Sequence, residues 1–98
     1  MNLRLTPRAL AEAKRIKTWW QKHRPAASDL FEQEFDAALR LVLMKPNLGT
    51  LYDHGNLDVP VRRVLLPKTK NHVYYTVQTN ELVVLSVWGA PKGRGPRL

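Results

Sequence analysis

His72-Val73-Tyr74-Tyr75-Thr76-Val77-Gln78-Thr79, the pair Asn80-Glu81, then Leu82-Val83-Val84-Leu85-Ser86-Val87-Trp88: the fold turns on how this run is read. Two β-branched and aromatic segments separated by a tight polar pair describe an antiparallel hairpin. Val61 to Leu66 is a third strand of the same character, joined through Pro67-Lys68-Thr69-Lys70-Asn71. Beyond Trp88, the stretch Gly89–Leu98 holds three glycines, two prolines and three basic residues, which predicts a loose basic tail.

Upstream the period is helical. Thr6-Pro7 supplies an N-cap and a proline at the first helical position. Ala9, Ala13, Ile16 and Trp20 then recur every three or four residues. Arg8, Glu12, Lys14, Arg15, Lys17 and Lys22 fall between them, giving an amphipathic helix with a basic outer face that ends near Arg24. A second helix starts between Pro25 and Asp29, with Phe31, Phe35, Ala38, Leu39 and Val42 as its stripe. Asp29, Glu32 and Glu34 complement the dipole of its early turns, and it stops at or before Lys45, because Pro46 follows. Asn2 to Leu5 suits a short edge strand, Pro46-Asn47-Leu48-Gly49 a turn, and residues 50–58 a polar loop. The order is β-α-α-β-β-β: an α+β domain spanning 1–98, with a helical hairpin packed on one face of an antiparallel sheet.

Composition narrows the function classes. The 98 residues hold no cysteine, which excludes disulfides, thiol nucleophiles and thiolate metal sites. No apolar run approaches the ~18 residues of a membrane span, and MNLRLTPRAL lacks the apolar core of a signal peptide. A cytoplasmic protein without cofactors is expected. The net charge of +8 is unevenly spread. Residues 1–24 and 59–98 each carry seven basic residues against one acidic, while residues 25–58 carry two against six. Such a field suits a polyanion or an acidic protein segment, or serves solubility alone.

Among individual residues, Arg62-Arg63 is the foremost functional pair. Alternation sends one toward the helices and the other outward. The pair reads equally as a guanidinium fork for phosphate or carboxylate and as a structural pair holding loop or helix-end carbonyls. Trp88 falls at the end of the open sheet face if Val83, Leu85 and Val87 face the helices; there it suits an interface or a stacking platform, and otherwise it closes the core. Of the adjacent Trp19 and Trp20, Trp20 fits the core stripe and Trp19 lies at its margin. Tyr74 and Tyr75 point to opposite faces, one core and one open. Asp53-His54-x-x-x-Asp58 matches no established metal spacing and reads as solvated loop, so no metal is expected. His23 and His72 read as surface or strand residues.

Taken together, the order and landmarks resemble the RelE/ParE superfamily of bacterial toxin–antitoxin toxins. The match covers nearly the whole chain: the Leu-Thr-Pro-Arg-Ala opening, the Pro46-x-x-Gly49 turn, Arg62-Arg63, the strand running from His72 through Tyr75 to Val77, and the last strand ending at Gly89 before a basic tail. The superfamily includes ribosome-dependent mRNA endoribonucleases and ParE-type inhibitors of DNA gyrase. Nuclease members often place a His or Tyr after the last strand. Here Trp88 stands near that place, and an indole can donate a hydrogen bond but cannot act as a general base. The departure favours a ParE-like toxin that inhibits gyrase by binding. The RelE-like alternative would rely on Arg62, Arg63, Lys68, Lys70, Lys92 and Arg94 as cations around the phosphate. A third class is a basic nucleic-acid-binding module without toxicity.

The resemblance further implies a cognate antitoxin whose acidic, amphipathic C-terminal segment wraps the toxin and brings the operator-DNA-binding domain. Arg62, Arg63, Trp19, Tyr75, Trp88, Lys92 and Arg94 are the expected target or antitoxin contacts, in a hetero-oligomer away from any membrane.

Overall fold

The computed structural model describes residues 1–53, 58–90 and 94–98. Strand β1 (Asn2–Leu5) leads into helix α1 (Pro7–His23), a 3-10 turn (Pro25–Ala27) and helix α2 (Leu30–Met44). Four strands follow: β2 (Thr50–Leu51), β3 (Arg62–Leu66), β4 (Asn71–Gln78) and β5 (Glu81–Gly89). Among the described residues these form one five-stranded sheet in the order β1-β5-β4-β3-β2. The α+β order and the helical hairpin stand as the sequence indicates. Two features differ. The strand β2 arises inside the expected polar loop, pairing with Arg62 and Arg63. And β1 lies parallel to β5, whereas the other pairings are antiparallel.

Local chemistry sets the helix limits. The Thr6 hydroxyl accepts from Ala9 N at 3.1 Å and donates to Leu85 O at 3.2 Å, so one side chain caps α1 and fixes its start against β5. Removing such a cap costs roughly 1 kcal/mol. Pro25 and Pro46 follow the two helix ends, where the backbone N–H groups of Arg24 and Lys45 close the last turns on Trp20 O and Leu41 O.

Ala9, Ala13, Phe31, Leu39 and Val42 pack on Leu66, Val73, Tyr75, Leu82, Val84 and Val87. On β5 the core residues are thus Leu82, Val84 and Val87, neither of the two strictly alternating sets that the sequence offers. The register explains the change: Tyr74 faces Ser86 while Tyr75 faces Val84, so Leu85 is an extra residue that reverses the alternation. Trp88 therefore lies on the face away from the helices.

The two helix carboxylates that look most like solvated surface charges are structural. β1 pairs with β5 only as far as Val84. Just beyond, Glu12 is buried, and its Oε1 accepts from Ser86 Oγ at 2.8 Å and Val87 N at 3.1 Å, with Arg8 Nε 3.4 Å from its other oxygen. Glu12 is thus no part of a basic outer face. Glu34 leaves dipole complementation for a turn: it accepts from Lys68 N (2.6 Å), Thr69 N (3.0 Å) and Thr69 Oγ1 (2.7 Å), closing the β3–β4 connection onto α2. Replacing Glu12 by Ala leaves a strand amide and a hydroxyl without their partner. A loss of about 2–3 kcal/mol in urea unfolding is expected, well above the effect of Glu32→Ala on the exposed pair with Lys17.

Candidate functional site

The alternation of β3 separates the two adjacent arginines. Arg62 turns to the Pro46–Gly49 turn, donating to Gly49 O at 2.7 Å and Asn47 O at 3.4 Å. Tyr75, opposite it on β4, is fully buried, donates its hydroxyl to Pro46 O at 2.7 Å and accepts from Gly49 N at 2.9 Å. A Cβ on Gly49 would lie 2.7 Å from that hydroxyl, so only glycine lets the turn close. Arg62 and Tyr75 are therefore the fastening of the turn, and Tyr75 offers no surface to a partner. The expectation that one of Tyr74 and Tyr75 stays available on the open side is corrected, because both are buried.

Arg63 lies on the face away from the helices. Its guanidinium stacks 5.3 Å from the Tyr52 ring and reaches Tyr74 OH at 3.4 Å. Tyr52 meets Tyr74 edge-on at 4.7 Å, and His72 meets Tyr74 at 6.0 Å. Trp88 pairs with His72 across β4–β5. An aromatic and cationic row thus runs Arg63, Tyr74, His72, Trp88. Desolvation, and then the nearby Arg63 charge, lower the His72 pKa from its ordinary value, leaving the imidazole neutral at pH 7. Desolvation raises the Tyr74 pKa, with Arg63 opposing it.

This face is not bare. Tyr74, Val61 and Val83 are buried yet stand apart from the main core cluster. Trp88 Nε1 donates to Arg94 O at 2.9 Å, Tyr52 OH to Pro96 O at 3.2 Å, and Arg8 to Arg97 O; Arg8 also lies 5.8 Å from the Trp88 ring. Residues 94–98 are therefore seated on the sheet, which corrects the expectation of a loose tail for this part. Lys92 lies outside the described residues.

A second surface lies along α1. Trp19 is 46% exposed, stacked on His23 at 4.7 Å and edge-on to Trp20 at 5.6 Å. With Ile16, Trp20 and Trp88 it lines a groove of about 920 Å³, and Arg15 and Lys70 also line it. Lys68 and Lys70 sit on the β3–β4 turn, with Lys70 in the left-handed region at φ 63°. The cations expected around one phosphate are thus divided: Lys68 and Lys70 on this turn, Arg63 on the row, and Arg62 on the other face of β3, holding the Pro46–Gly49 turn. Among the described residues no three His, Asp or Glu side chains converge to hold a metal, and His54 falls outside them. No described helix is long and apolar enough to cross a membrane. The sequence reading missed Tyr52, Tyr74, His72 and Arg8 as members of the site. Strand parity is the one signal that groups Arg63, Tyr74 and His72.

Against this geometry stand the comparisons. The family model for the ParE toxin of the type II toxin–antitoxin system, parDE, matches residues 3–90. A solved structure titled as the chromosomal ParDE TA system from P. aeruginosa is 18% identical at a TM-score of 0.70, covering 91% of this chain and 95% of that one. The YoeB dimer from Staphylococcus aureus is 16% identical at a TM-score of 0.60, with 90% and 94% covered. Both are similar in fold. No curated protein sequence matches.

Two outcomes follow. Tyr75→Phe strands Gly49 N and Pro46 O, and chemical denaturation should show a loss of about 1–3 kcal/mol. In an NMR titration His72 should titrate below 6.5, and Arg63→Gln should move it upward only in part, because burial remains. With a depressed folded pKa, the unfolded chain binds the proton first. This group therefore subtracts stability as pH falls from 6.5 toward the folded value and none above that window.

Proposed function

The chain belongs to the ParE toxin family of type II toxin–antitoxin systems, and from that membership we propose that it is a ParE-like toxin that inhibits DNA gyrase by binding, in the cytoplasm. The family match over residues 3–90 carries the reading. The site chemistry supports it: Trp88, at the end of the last strand, is a donor only, and the phenol of Tyr74 is buried, so neither of these two is suited to proton transfer.

The chain's antitoxin is the natural occupant of the α1 groove. An acidic amphipathic segment would bury apolar side chains on Trp19 and Trp20 and place its carboxylates near Arg15 and Lys70. Operator DNA would be reached through that antitoxin.

One observation favours a second reading, a RelE-like ribosome-dependent mRNA endoribonuclease. His72 is a neutral imidazole on the same sheet face as Arg63, an acid–base group near a phosphate-binding cation. The other cations expected for that role, Lys68, Lys70 and Arg94, would assist from the turn and the tail.

A supercoiling assay separates the two. The purified protein should inhibit gyrase, and Arg63→Ala should weaken inhibition by about tenfold or more, the worth of one charge-assisted contact. Lys14→Ala, on the outer face of α1, should change little. Codon-linked mRNA cleavage in a translating extract, without any effect on supercoiling, would overturn the gyrase reading.

A further inference from the structure

The contacts of the last residues have a specific chemistry. Three donors, one on β5, one just after β2 and one on α1, each take a main-chain carbonyl of the tail: Trp88 Nε1 takes Arg94 O, Tyr52 OH takes Pro96 O, and Arg8 takes Arg97 O. None of the three reads a side chain. Between the first two carbonyls lies Gly95, where a Cβ would stand 1.9 Å from the Tyr52 hydroxyl and 2.5 Å from its Cζ. Tyr52 cannot easily retreat, since its ring is held edge-on to Tyr74 and under Arg63. Pro96, next in the chain, is buried. Aromatic walls, an indole and a phenol donating to alternate carbonyls, and a buried proline are the means by which proteins bind extended, proline-containing peptides.

We propose that this face carries an extended-peptide groove whose resident ligand is the chain's own Arg94–Leu98 segment, held as a displaceable strap over the Tyr52–Tyr74–Arg63 cluster. The groove selects a small residue above Tyr52, and a proline after it, and is indifferent to the charged side chains on either side. While the strap is seated, Arg63 and Trp88 meet a partner only around its edges; when it lifts, the whole row is presented. The inference rests on contacts within this chain and is independent of which target the protein has.

The full-length protein tests it. Hydrogen exchange at the Trp88 indole N–H, followed by NMR, should be slow in the wild type and at least about tenfold faster in Gly95→Val, a loss of roughly 1.4 kcal/mol of closure. An N-acetylated peptide of sequence Arg-Gly-Pro-Arg-Leu should then shift the Trp88 indole signal of Gly95→Val. The wild type should need at least about tenfold more peptide, because its tethered copy competes at an effective concentration of order millimolar. The same peptide with Val in place of Gly should not bind. If Gly95→Val fails to fold by circular dichroism, Tyr52→Phe, which removes only the hydroxyl, should accelerate indole exchange severalfold. Equal indole exchange in the wild type and the folded variant, or identical peptide titrations of both, overturns the proposal.

Discussion

A buried phenol hydroxyl must find partners, and the Tyr75 hydroxyl finds them in Pro46 O and Gly49 N. Those two bonds pull the turn after α2 down onto the middle of the sheet. Because the turn is held there, Thr50 and Leu51 arrive beside Arg63 and Arg62 and form β2. Tyr52 then follows in line, its amide on Val61 O at 2.8 Å and its ring over Tyr74. The groove that receives the tail is built on that ring. A single satisfied hydroxyl in the core thus reaches, through one turn and one two-residue strand, to the opposite face of the sheet.

The adjacent arginines show how one dipeptide serves both ends of that chain of dependence. Arg62 adds a charged donor to Gly49 O, reinforcing the turn from the side that Tyr75 leaves open. Arg63, one residue on, spends its charge on the far face, polarising Tyr74 and helping to keep His72 neutral. Either arginine alone would leave one face of β3 without its electrostatic partner.

What could be read from the sequence was whatever depends on local pattern. Thr6-Pro7 marks the start of α1 and Pro46 the end of α2, because cap and proline chemistry act over one turn of chain. The hairpin of β4 and β5 is visible in its β-branched residues. Parity along β5 was not legible: the extra residue at Leu85 appears only when the strand is registered against β4. Local pattern places Glu12 on an outer helix face and Glu34 as a complement to the helix dipole, since each carboxylate and its strand or turn partner are separated by 74 and 34 residues in the hydrogen bonds they make. The tail misled for the same reason. Glycine and proline describe a segment without secondary structure of its own, and say nothing of a sheet face shaped to hold it. In the site, Arg63 and Trp88 are legible and Tyr52 is not, because Tyr52 joins the row through the turn rather than by strand spacing.

The carboxylate of Glu12 also bears on how the chain keeps to itself. From Leu85 onward β5 keeps β4 on one side but, among the described residues, has no strand on the side that β1 occupies up to Val84, and its sequence, apolar and β-branched, is of the kind that recruits further strands into fibrils. Glu12 sits on that stretch with its Oε1 already accepting from Ser86 Oγ and Val87 N, and the Thr6 hydroxyl takes Leu85 O. An incoming strand would meet a donor and an acceptor already taken, and a carboxylate where its own carbonyl should go. The helix that covers the core thereby also occupies the groups by which this edge of the sheet would take up a further strand.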